Sequence, residues 1–404
     1  MSATPGTPEA PRDAPLIAIV AGEESGDALG APLMRALRDV LSPREVAFLG
    51  VGGHAMEAEG LSSVFPLADI AVMGFSAVIA RLPLLIRRMG ETAAAIIAAK
   101  PDMLVIIDSP DFTHRVARRV RAKLPRLPVV DYVSPSVWAW RPGRARAMRG
   151  YVDHVLALLP FEPDVHRRLG GPSCTYVGHP LSQRLGDFTP DADEQAAREA
   201  SPPSMLVLPG SRRTEVRRLL PVFGETVANL AALRPVRPIL PAVAWLADEI
   251  AEQTSAWPVV PEIVTGEAAK LSAFRRARLA LVASGTATLE LGLAGVPMVA
   301  AYKVGAIEIR VLRALVTAPF VLLPNLILGR MAIPEFIQEA CTAQTLVAAL
   351  LQLLDDTPAR RAQLAALGIV RERVAVQGET PAMRAAQVAV EAMRRPEPPR
   401  PDGI

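Results

Sequence analysis

The sequence has few cysteines and almost no net charge. Cys174 and Cys341 are the two cysteines among 404 residues, which excludes a disulfide scaffold and a cysteine-rich zinc module and favours a reducing compartment. The five histidines have no spacing suited to zinc. The formal net charge is +3, so the net charge does not by itself indicate nucleic-acid binding. Lysine is scarce and occurs only at positions 100, 123, 270 and 303.

The chain also lacks a recognisable signal peptide and an uninterrupted hydrophobic run. Residues 1–14 are polar and proline-rich, without the basic and apolar regions of a signal peptide. The most apolar window, 279–302, is long enough to span a bilayer, but Gly285, Glu290 and Pro297 interrupt it where structural elements would meet. This window therefore predicts a strand, a helix and a second strand rather than a membrane span.

Half of the residues are apolar, and they occur in a regular order. Apolar runs of strand length alternate with longer amphipathic segments in two series, one before and one after a polar, proline-bounded stretch at 186–203. Such alternation predicts parallel sheets covered by helices on both faces. We expect an α/β protein with two Rossmann-like, doubly wound domains facing a cleft, and with C-terminal helices that pack back on the N-terminal domain.

The predicted domain boundaries follow from these composition shifts. We expect disordered tails at 1–15 and 395–404, because both are rich in proline. The predicted segments between them are an N-terminal domain at 16–185, a linker at 186–203, a C-terminal domain at 204–370 and a helix crossing back at 371–394.

Two strand-to-helix turns in the first half carry carboxylates. The turn at 22–27 includes Glu23 and Ser25, and it is neither a Walker loop nor a three-glycine dinucleotide loop. Asp108 ends a strongly apolar run, and Asp111 follows three residues later. A carboxylate at the end of a strand could act as a general base or orient a sugar hydroxyl, whereas Asp111 could also be an ordinary helix cap.

A tryptophan-rich turn follows the next predicted strand. Trp138 and Trp140 lie in a turn that is better suited to a ligand wall than to a core. Four arginines come next at near-helical spacing, at positions 141, 144, 146 and 149. They predict either a solvated basic helix face or a contact with an anion or a phospholipid.

The first turn of the second half has the features of a phosphate site. Gly210, Ser211 and Arg212 stand between a strand and a helix, where backbone amides attract phosphate and Arg212 can donate to two oxygens. Because the helix dipole disfavours cations at a helix N-terminus, a bound polyphosphate would explain the basic residues there.

A second turn is predicted to reach the same pocket. Ser284, Gly285 and Thr286 form it, and Glu290 lies one turn into the apolar helix that follows. A lone carboxylate on such a helix must be paired or functional, and a ribose diol is a natural partner. Asn325 either completes this nucleotide pocket or is an ordinary turn residue.

Together these residues resemble the lipid-A-disaccharide synthase family, from about residue 16 to residue 390. The string at 134–140, SPSVWAW, is the most specific element. The matching motifs, in chain order, are GEESGD at 22–27, VMG at 72–74, DSPDF at 108–112, YVSPSVWAW at 132–140, GHP at 178–180, PGSR at 209–212, SGT at 284–286 and LPN at 323–325.

The resemblance implies a GT-B fold and an inverting hexosyltransferase of lipid A biosynthesis. It implies transfer of 2,3-diacylglucosamine from its UDP derivative to 2,3-diacylglucosamine 1-phosphate, giving a β-1′,6-linked disaccharide and UDP without a metal or another cofactor. It implies an N-terminal acceptor domain and a C-terminal UDP-sugar domain. It also implies a cytoplasmic location, peripheral to the inner membrane, and leaves monomer or homodimer open.

The resemblance assigns roles to most of these residues, whereas Ser25, Trp138, Gly210 and Ser211 are candidates because of the turns in which they lie. Asp108 and Glu23 are the catalytic candidates, and Ser25 and Trp138 are candidates on the acceptor side. The nucleotide-binding candidates are Gly210, Ser211, Arg212, Ser284, Gly285, Thr286, Glu290 and Asn325.

An apolar stretch at 70–89 is the candidate for membrane contact. Because both implied substrates carry acyl chains, we expect Phe75, Leu82, Leu84 and Leu85 to form an exposed apolar patch rimmed by arginines. The same pattern could also be a buried helix of the first domain. For the whole protein, the alternatives are another GT-B UDP-sugar transferase or epimerase with a soluble substrate, and a non-catalytic nucleotide-binding protein.

Overall fold

A computed structural model describes residues 14–70, 75–376 and 378–394, without the side chains of 75–80, 306, 307, 311, 312 and 314. The two predicted tails lie outside this range, apart from residues 14 and 15. The chain divides into two compact units. Unit 1 is formed by the residues up to Gly178 together with the C-terminal helix, and unit 2 is His179–Val376.

Unit 1 contains one parallel sheet and the helices that cover it. Its elements are β1 (Leu16–Ala21), α1 (Glu24–Leu41), β2 (Ala47–Val51), α2 (His54–Ala58), β3 (Ser62–Ser63), α3 (Phe75–Ala99), β4 (Met103–Ile107), α4 (Pro110–Lys123), β5 (Val129–Tyr132), α5 (Gly143–Met148), β6 (His154–Ala157), α6 (Glu162–Leu169) and β7 (Ser173–Tyr176). The C-terminal helix, α16 (Pro381–Arg394), belongs to the same unit.

The sheet of unit 1 is doubly wound. Its strand order is β3-β2-β1-β4-β5-β6-β7, so the direction of winding reverses between β1 and β4. Side chains of β1 alternate between two cores, with Ile17 and Ile19 on one face and Ala18 and Val20 on the other. Burial on both faces explains why these strands are continuous apolar runs in the sequence.

Helix α16 packs on α1, as the sequence predicted for a C-terminal helix. Its contact face consists of small residues, and Ala385, Ala386 and Ala389 are fully buried. Small side chains let two helices approach closely, so α16 packs tightly against the apolar face of α1.

Unit 2 repeats the same architecture. Its elements are α7 (Ala192–Arg198), β8 (Ser204–Leu208), α8 (Arg213–Leu233), β9 (Arg237–Ala242), α9 (Ala247–Thr254), β10 (Glu262–Thr265), α10 (Glu267–Arg276), β11 (Leu279–Ala283), α11 (Ala287–Leu293), β12 (Met298–Tyr302), α12 (Ala306–Leu315), α13 (Leu323–Leu328), β13 (Glu335–Ile337), α14 (Ala343–Leu354) and α15 (Pro358–Val374). The strand order is β10-β9-β8-β11-β12-β13, and the winding reverses between β8 and β11.

The predicted linker at 186–203 is folded. Asp191 caps α7 by accepting a hydrogen bond from the Glu194 amide at 2.8 Å. Arg198, at the end of α7, is buried, and its guanidinium donates to the carbonyl oxygens of Arg275 and Ala294. The acidic residues that indicated a linker thus belong to a helix and its cap. The division between the two units follows Gly178 rather than residue 185.

Candidate functional site

A cavity of about 640 Å³ lies at the carboxyl ends of β8, β9 and β11 in unit 2. These strands include the two at which the winding reverses, where open α/β sheets bind ligands. The lining residues are Leu208, Gly210, Ser211, Arg212, Glu215, Pro241, Ala242, Val243, Ala244, Gly266, Glu267, Lys270, Val282, Ala283, Ser284, Gly285, Thr286, Ala287 and Glu290. The structure therefore brings all the predicted nucleotide-binding residues except Asn325 to one cavity.

The turn between β8 and α8 requires glycine at position 210. Gly210 has a φ of +111°, and a Cβ there would lie 2.6 Å from Oε2 of Glu215. The turn leads directly into α8, whose first N–H groups have no acceptor within the helix. Glu215 lies on that first turn, so an anion could approach the amides only beside its carboxylate.

Arg212 and Arg213 have different surroundings. The side chain of Arg212 is 72% exposed and meets only Glu215, at 3.3 Å, among the ion pairs of the described residues. Arg213 pairs with Glu249 at 2.8 Å and lies over the Trp245 ring, outside the cavity lining. Arg212 can therefore turn to a ligand in the cavity, whereas Arg213 serves the contact between α8 and α9.

The turn between β11 and α11 leaves open space at Gly285. A Cβ at this position would have no heavy-atom neighbour within 4 Å, so packing within the chain does not require glycine there. The adjacent Ser284 hydroxyl donates to the carbonyl oxygen of Val321 at 3.3 Å. Glycine at an unobstructed point of a cavity wall lets a ligand approach the backbone closely.

Glu290 is held by Lys270, a residue that sequence reasoning missed. Nζ of Lys270 lies 3.1 and 3.3 Å from the two Glu290 carboxylate oxygens and 2.8 Å from Glu267. Burial lowers the pKa of Lys270, but the hydrogen bonds and charges of the two glutamates outweigh burial and raise it. In the sequence, the scarcity of lysine was the one feature that set Lys270 apart.

Asn325 lies outside the cavity, which corrects the prediction. Its side chain is 0% exposed. The amide donates to the Ile333 carbonyl and to Glu335, and the side-chain oxygen accepts from the amides of Ala332 and Ile333. All its hydrogen-bonding capacity is used in joining α13 to the segment before β13, so Asn325 supports the fold.

The carboxylate of Asp108 is held at the end of β4 in unit 1. Its Oδ1 accepts a hydrogen bond from the Ser109 amide at 2.7 Å, and its Oδ2 accepts from the Ser25 hydroxyl at 3.3 Å. The Ser109 hydroxyl donates to Oε1 of Glu23 at 2.9 Å. Strands β1 and β4 are neighbours, so the structure brings the three predicted residues Asp108, Glu23 and Ser25 together.

Backbone strain is concentrated at this edge of the unit 1 sheet. Asp108 and Ser109 have φ values of +54° and +43°, Val133 after β5 has +86°, and Arg141 has +52°. Positive φ is unfavourable for residues other than glycine and costs about 1–3 kcal/mol each. Such strain is often found at functional sites, where the side chain is needed at that position.

Trp138 lies beside this edge and contacts a buried acid. Its Nε1 donates to Glu162 at 3.2 Å, and its ring meets Phe161 edge to face. Burial raises the pKa of Glu162 to about 7, against the hydrogen bonds from the Leu159 amide and Trp138. Glu162 was not predicted, because its contacts with Trp138 and Leu159 come from the fold.

The apolar stretch on α3 is only partly exposed. Leu82 is 44% and Ile86 is 47% exposed, whereas Leu84 is half-buried. Leu85 is 9% exposed and packs in the core, which corrects its predicted place in an exposed patch. The side chain of Phe75 and residues 72–74 lie outside the description.

The arginines near this stretch also differ. Arg81 and Arg87 are exposed, although Arg87 pairs with Glu91 at 3.5 Å. Arg88 is less accessible, because Asp69 and Glu91 engage it and it lies over the Phe65 ring. The basic rim therefore consists of two arginines rather than three.

The structure also bears on metal binding and membrane crossing. Among the described residues, no helix is long and apolar enough to cross a membrane, and no group of three or more histidine, cysteine, aspartate or glutamate side chains could hold a metal ion. The sequence has one Asp-x-Asp triplet, at 191–193, but Asp191 caps α7.

Comparison of the sequence with known proteins finds one family. A model of the lipid-A-disaccharide synthetase family matches residues 17–388. The chain is 55% identical over 379 residues to the lipid-A-disaccharide synthase of Nitrobacter winogradskyi, covering 94% of this chain and 96% of that protein. It is 54% identical to the corresponding protein of Rhodopseudomonas palustris, covering 93% and 96% of the two chains.

Solved structures with low sequence identity share the fold. A putative UDP-N-acetylglucosamine 2-epimerase from Listeria monocytogenes has a TM-score of 0.58 at 12% identity, covering 94% of this chain and 95% of that one. MurG of Acinetobacter baumannii has a TM-score of 0.55 at 14% identity, covering 94% and 100%. These two likenesses support the α/β architecture of two doubly wound sheets.

Proposed function

The chain belongs to the lipid-A-disaccharide synthetase family, and we propose that it transfers 2,3-diacylglucosamine from its UDP derivative to the 6-hydroxyl of 2,3-diacylglucosamine 1-phosphate. The products are a β-1′,6-linked disaccharide and UDP. The observation that carries this proposal is the unit 2 cavity, which gathers the predicted nucleotide-binding residues apart from Asn325.

In this proposal the UDP diphosphate lies between the turn before α8 and the turn before α11. Backbone amides of α8 and the Arg212 guanidinium would neutralise its charge. Glu290, oriented by Lys270, would accept hydrogen bonds from the ribose hydroxyls. As the donor bond breaks, negative charge grows on the departing phosphate, and Arg212 would stabilise that charge without a metal or another cofactor.

The acceptor side requires a base. The 6-hydroxyl oxygen attacks the anomeric carbon of the donor, the bond from that carbon to the phosphate oxygen breaks, and UDP leaves with the electron pair. The hydroxyl proton passes to Asp108, with Glu23 as the second candidate. The hydrogen bonds from Ser25 and from the Ser109 amide support Asp108, because they fix the direction of its carboxylate.

The lipid substrates motivate a peripheral membrane contact at the inner membrane. Leu82 and Ile86 lie one turn apart on α3 and are both exposed, with Arg81 and Arg87 beside them. Apolar side chains rimmed by cations favour an anionic lipid surface. This pair replaces the patch predicted from the sequence, which included the buried Leu85.

We also propose that the protein can form a homodimer in which the two chains exchange their C-terminal segments. Such an exchange would place α16 of one copy on α1 of the other, through the small-residue face described for unit 1. Light scattering on the purified protein gives the mass directly. A monomer mass at working concentration would rule the exchange out.

The test of the function uses both lipid substrates with the purified protein. We expect release of UDP together with a disaccharide identified by mass spectrometry, and neither product without the acceptor. An epimerase would instead alter a UDP-sugar when no acceptor is present. Absence of the disaccharide from a folded, UDP-binding preparation would refute the proposal.

A further inference from the structure

Two arginines of unit 1 share one indole ring. The guanidinium carbon of Arg141 lies 4.3 Å from the centroid of the Trp140 ring, and that of Arg144 lies 5.7 Å from the same centroid. Both residues follow β5, at the edge of the sheet that carries the strained turn of Asp108. Cation–π contact favours each arginine separately, but two like charges on one ring repel each other.

The charges of these two arginines are balanced unequally. Arg144 is largely buried and pairs with Asp111 at 3.1 Å. Arg141 is exposed, and within the described ranges no carboxylate lies at ion-pair distance from it. Its φ of +52° is a conformation that residues other than glycine rarely adopt. The fold thus holds an unneutralised cation in a strained conformation beside a second cation, an arrangement that a bound anion would stabilise.

The position of the pair relates it to the proposed base. Asp111, the partner of Arg144, is on the first turn of α4, which begins immediately after Asp108 and Ser109. A sugar bound with one hydroxyl at Asp108 would therefore lie near the ion pair between Asp111 and Arg144. In the proposed acceptor, the carbons that carry the 1-phosphate and the 6-hydroxymethyl group are both bonded to the ring oxygen, so one sugar can present its 6-hydroxyl to a base and its phosphate to a cation nearby.

We propose that Arg141 and Arg144 bind the phosphomonoester of the acceptor sugar and thereby select the phosphorylated acceptor. This inference rests on the proposed function. Guanidinium groups suit the ligand, because their planar donors match phosphate oxygens in pairs. Arg146 and Arg149, which the sequence placed in the same basic series, are both exposed and lie over no ring in the described part of the chain, so we assign them no part in this site.

The test compares two acceptors, 2,3-diacylglucosamine 1-phosphate and the same lipid without its phosphate. For the wild type we expect a higher kcat/KM with the phosphorylated acceptor. In Arg141→Gln, the ratio of the two kcat/KM values should fall about tenfold or more, the size expected for losing a hydrogen bond to a charged group. Arg146→Gln is the matched control and should keep the wild-type ratio.

A second variant and a binding measurement protect the test from misfolding. Arg141→Lys keeps the charge but loses the paired donors, and its ratio should lie between those of wild type and Arg141→Gln. Glucosamine 1-phosphate should inhibit the wild type more strongly than glucosamine does, and Arg141→Gln should abolish that difference. Equal loss with both acceptors, or an equal effect of Arg146→Gln, overturns the inference.

Anionic lipid headgroups present the same chemistry, so the experiment includes vesicles. Sedimentation with phosphatidylglycerol vesicles should be the same for wild type and Arg141→Gln. If Arg141→Gln loses vesicle binding and keeps the acceptor ratio, the arginine serves the membrane and the inference is wrong. If the wild type makes no disaccharide from either acceptor, the proposed function fails instead.

Discussion

The two units use the same topological position in different ways. In each sheet the candidate residues follow the two strands at which the winding reverses, β1 and β4 in unit 1 and β8 and β11 in unit 2. In unit 2 the first turn takes its positive φ at Gly210, where the conformation costs little. In unit 1 the positive φ values follow the other of the two strands, β4, and fall on Asp108 and Ser109.

We propose that this difference reflects a division between nucleotide binding in unit 2 and proton transfer in unit 1. A glycine turn exposes backbone amides, which is sufficient to hold a diphosphate. Asp108 cannot be replaced by glycine if its carboxylate accepts a proton, so the strain of its positive φ has to be tolerated. The hydrogen bonds from Ser25 and from the Ser109 amide offset this strain. We therefore expect unit 2 variants to change nucleotide affinity and unit 1 variants to change turnover.

The largest effect should come from Asp108→Asn. The substitution keeps the shape and removes the basicity, so kcat should fall about 10²–10⁴-fold while UDP affinity stays the same. Steady-state kinetics and calorimetry measure the two quantities. Asp39→Asn is the control, because Asp39 is an exposed carboxylate on α1 that makes no ion pair among the described residues. Turnover within threefold of wild type would remove Asp108 as the base and leave Glu23 as the candidate.

The next effect should come from Arg212→Ala. A hydrogen bond to a charged group contributes about 1.5–3 kcal/mol. Its loss should therefore lower kcat/KM about tenfold or more and weaken UDP affinity. Arg213→Ala is the matched control, since Arg213 is committed to Glu249 and Trp245. Similar UDP affinities in the two variants would show that the diphosphate does not lie where we propose.

Lys270→Met should give a smaller and more selective change. Without its ion pair, Glu290 loses the orientation that suits a ribose diol, so UDP affinity should weaken about three- to tenfold. The affinity for 2′,3′-dideoxy-UDP should change much less, and Lys270→Arg should restore part of the difference. Calorimetry with both nucleotides checks this. Equal weakening for both would mean that Lys270 acts on the shape of the cavity rather than on the ribose.

The smallest effect on chemistry should come from the double variant Leu82→Ser, Ile86→Ser. Both side chains are exposed, so folding and UDP binding should persist, while sedimentation with anionic vesicles should weaken about tenfold or more. The control is the double variant Leu233→Ser, Val260→Ser in unit 2, whose side chains are even more exposed, at 62% and 59%. If both double variants sediment alike, α3 is not the docking surface.

Local order in the chain determined the architecture. Apolar strands, glycine turns and amphipathic helices repeat within short windows, and the apolar runs at 16–21, 103–107 and 279–283 form strands with these bounds in the structure. The turns carrying Arg212 and Asp108 were predictable for the same reason, because the carboxyl ends of parallel strands meet at one edge of a sheet.

Contacts between distant segments were decided by the tertiary structure alone. The pairing of Lys270 with Glu290 joins two helices, and the burial of Asn325 depends on a segment that folds back over it. On α3 the helical period relates Leu82 to Ile86 and Leu85 to Met89, but only packing against the sheet decides which pair faces inward. Hydrophobicity is a property of the residue, whereas exposure depends on what the fold places beside it.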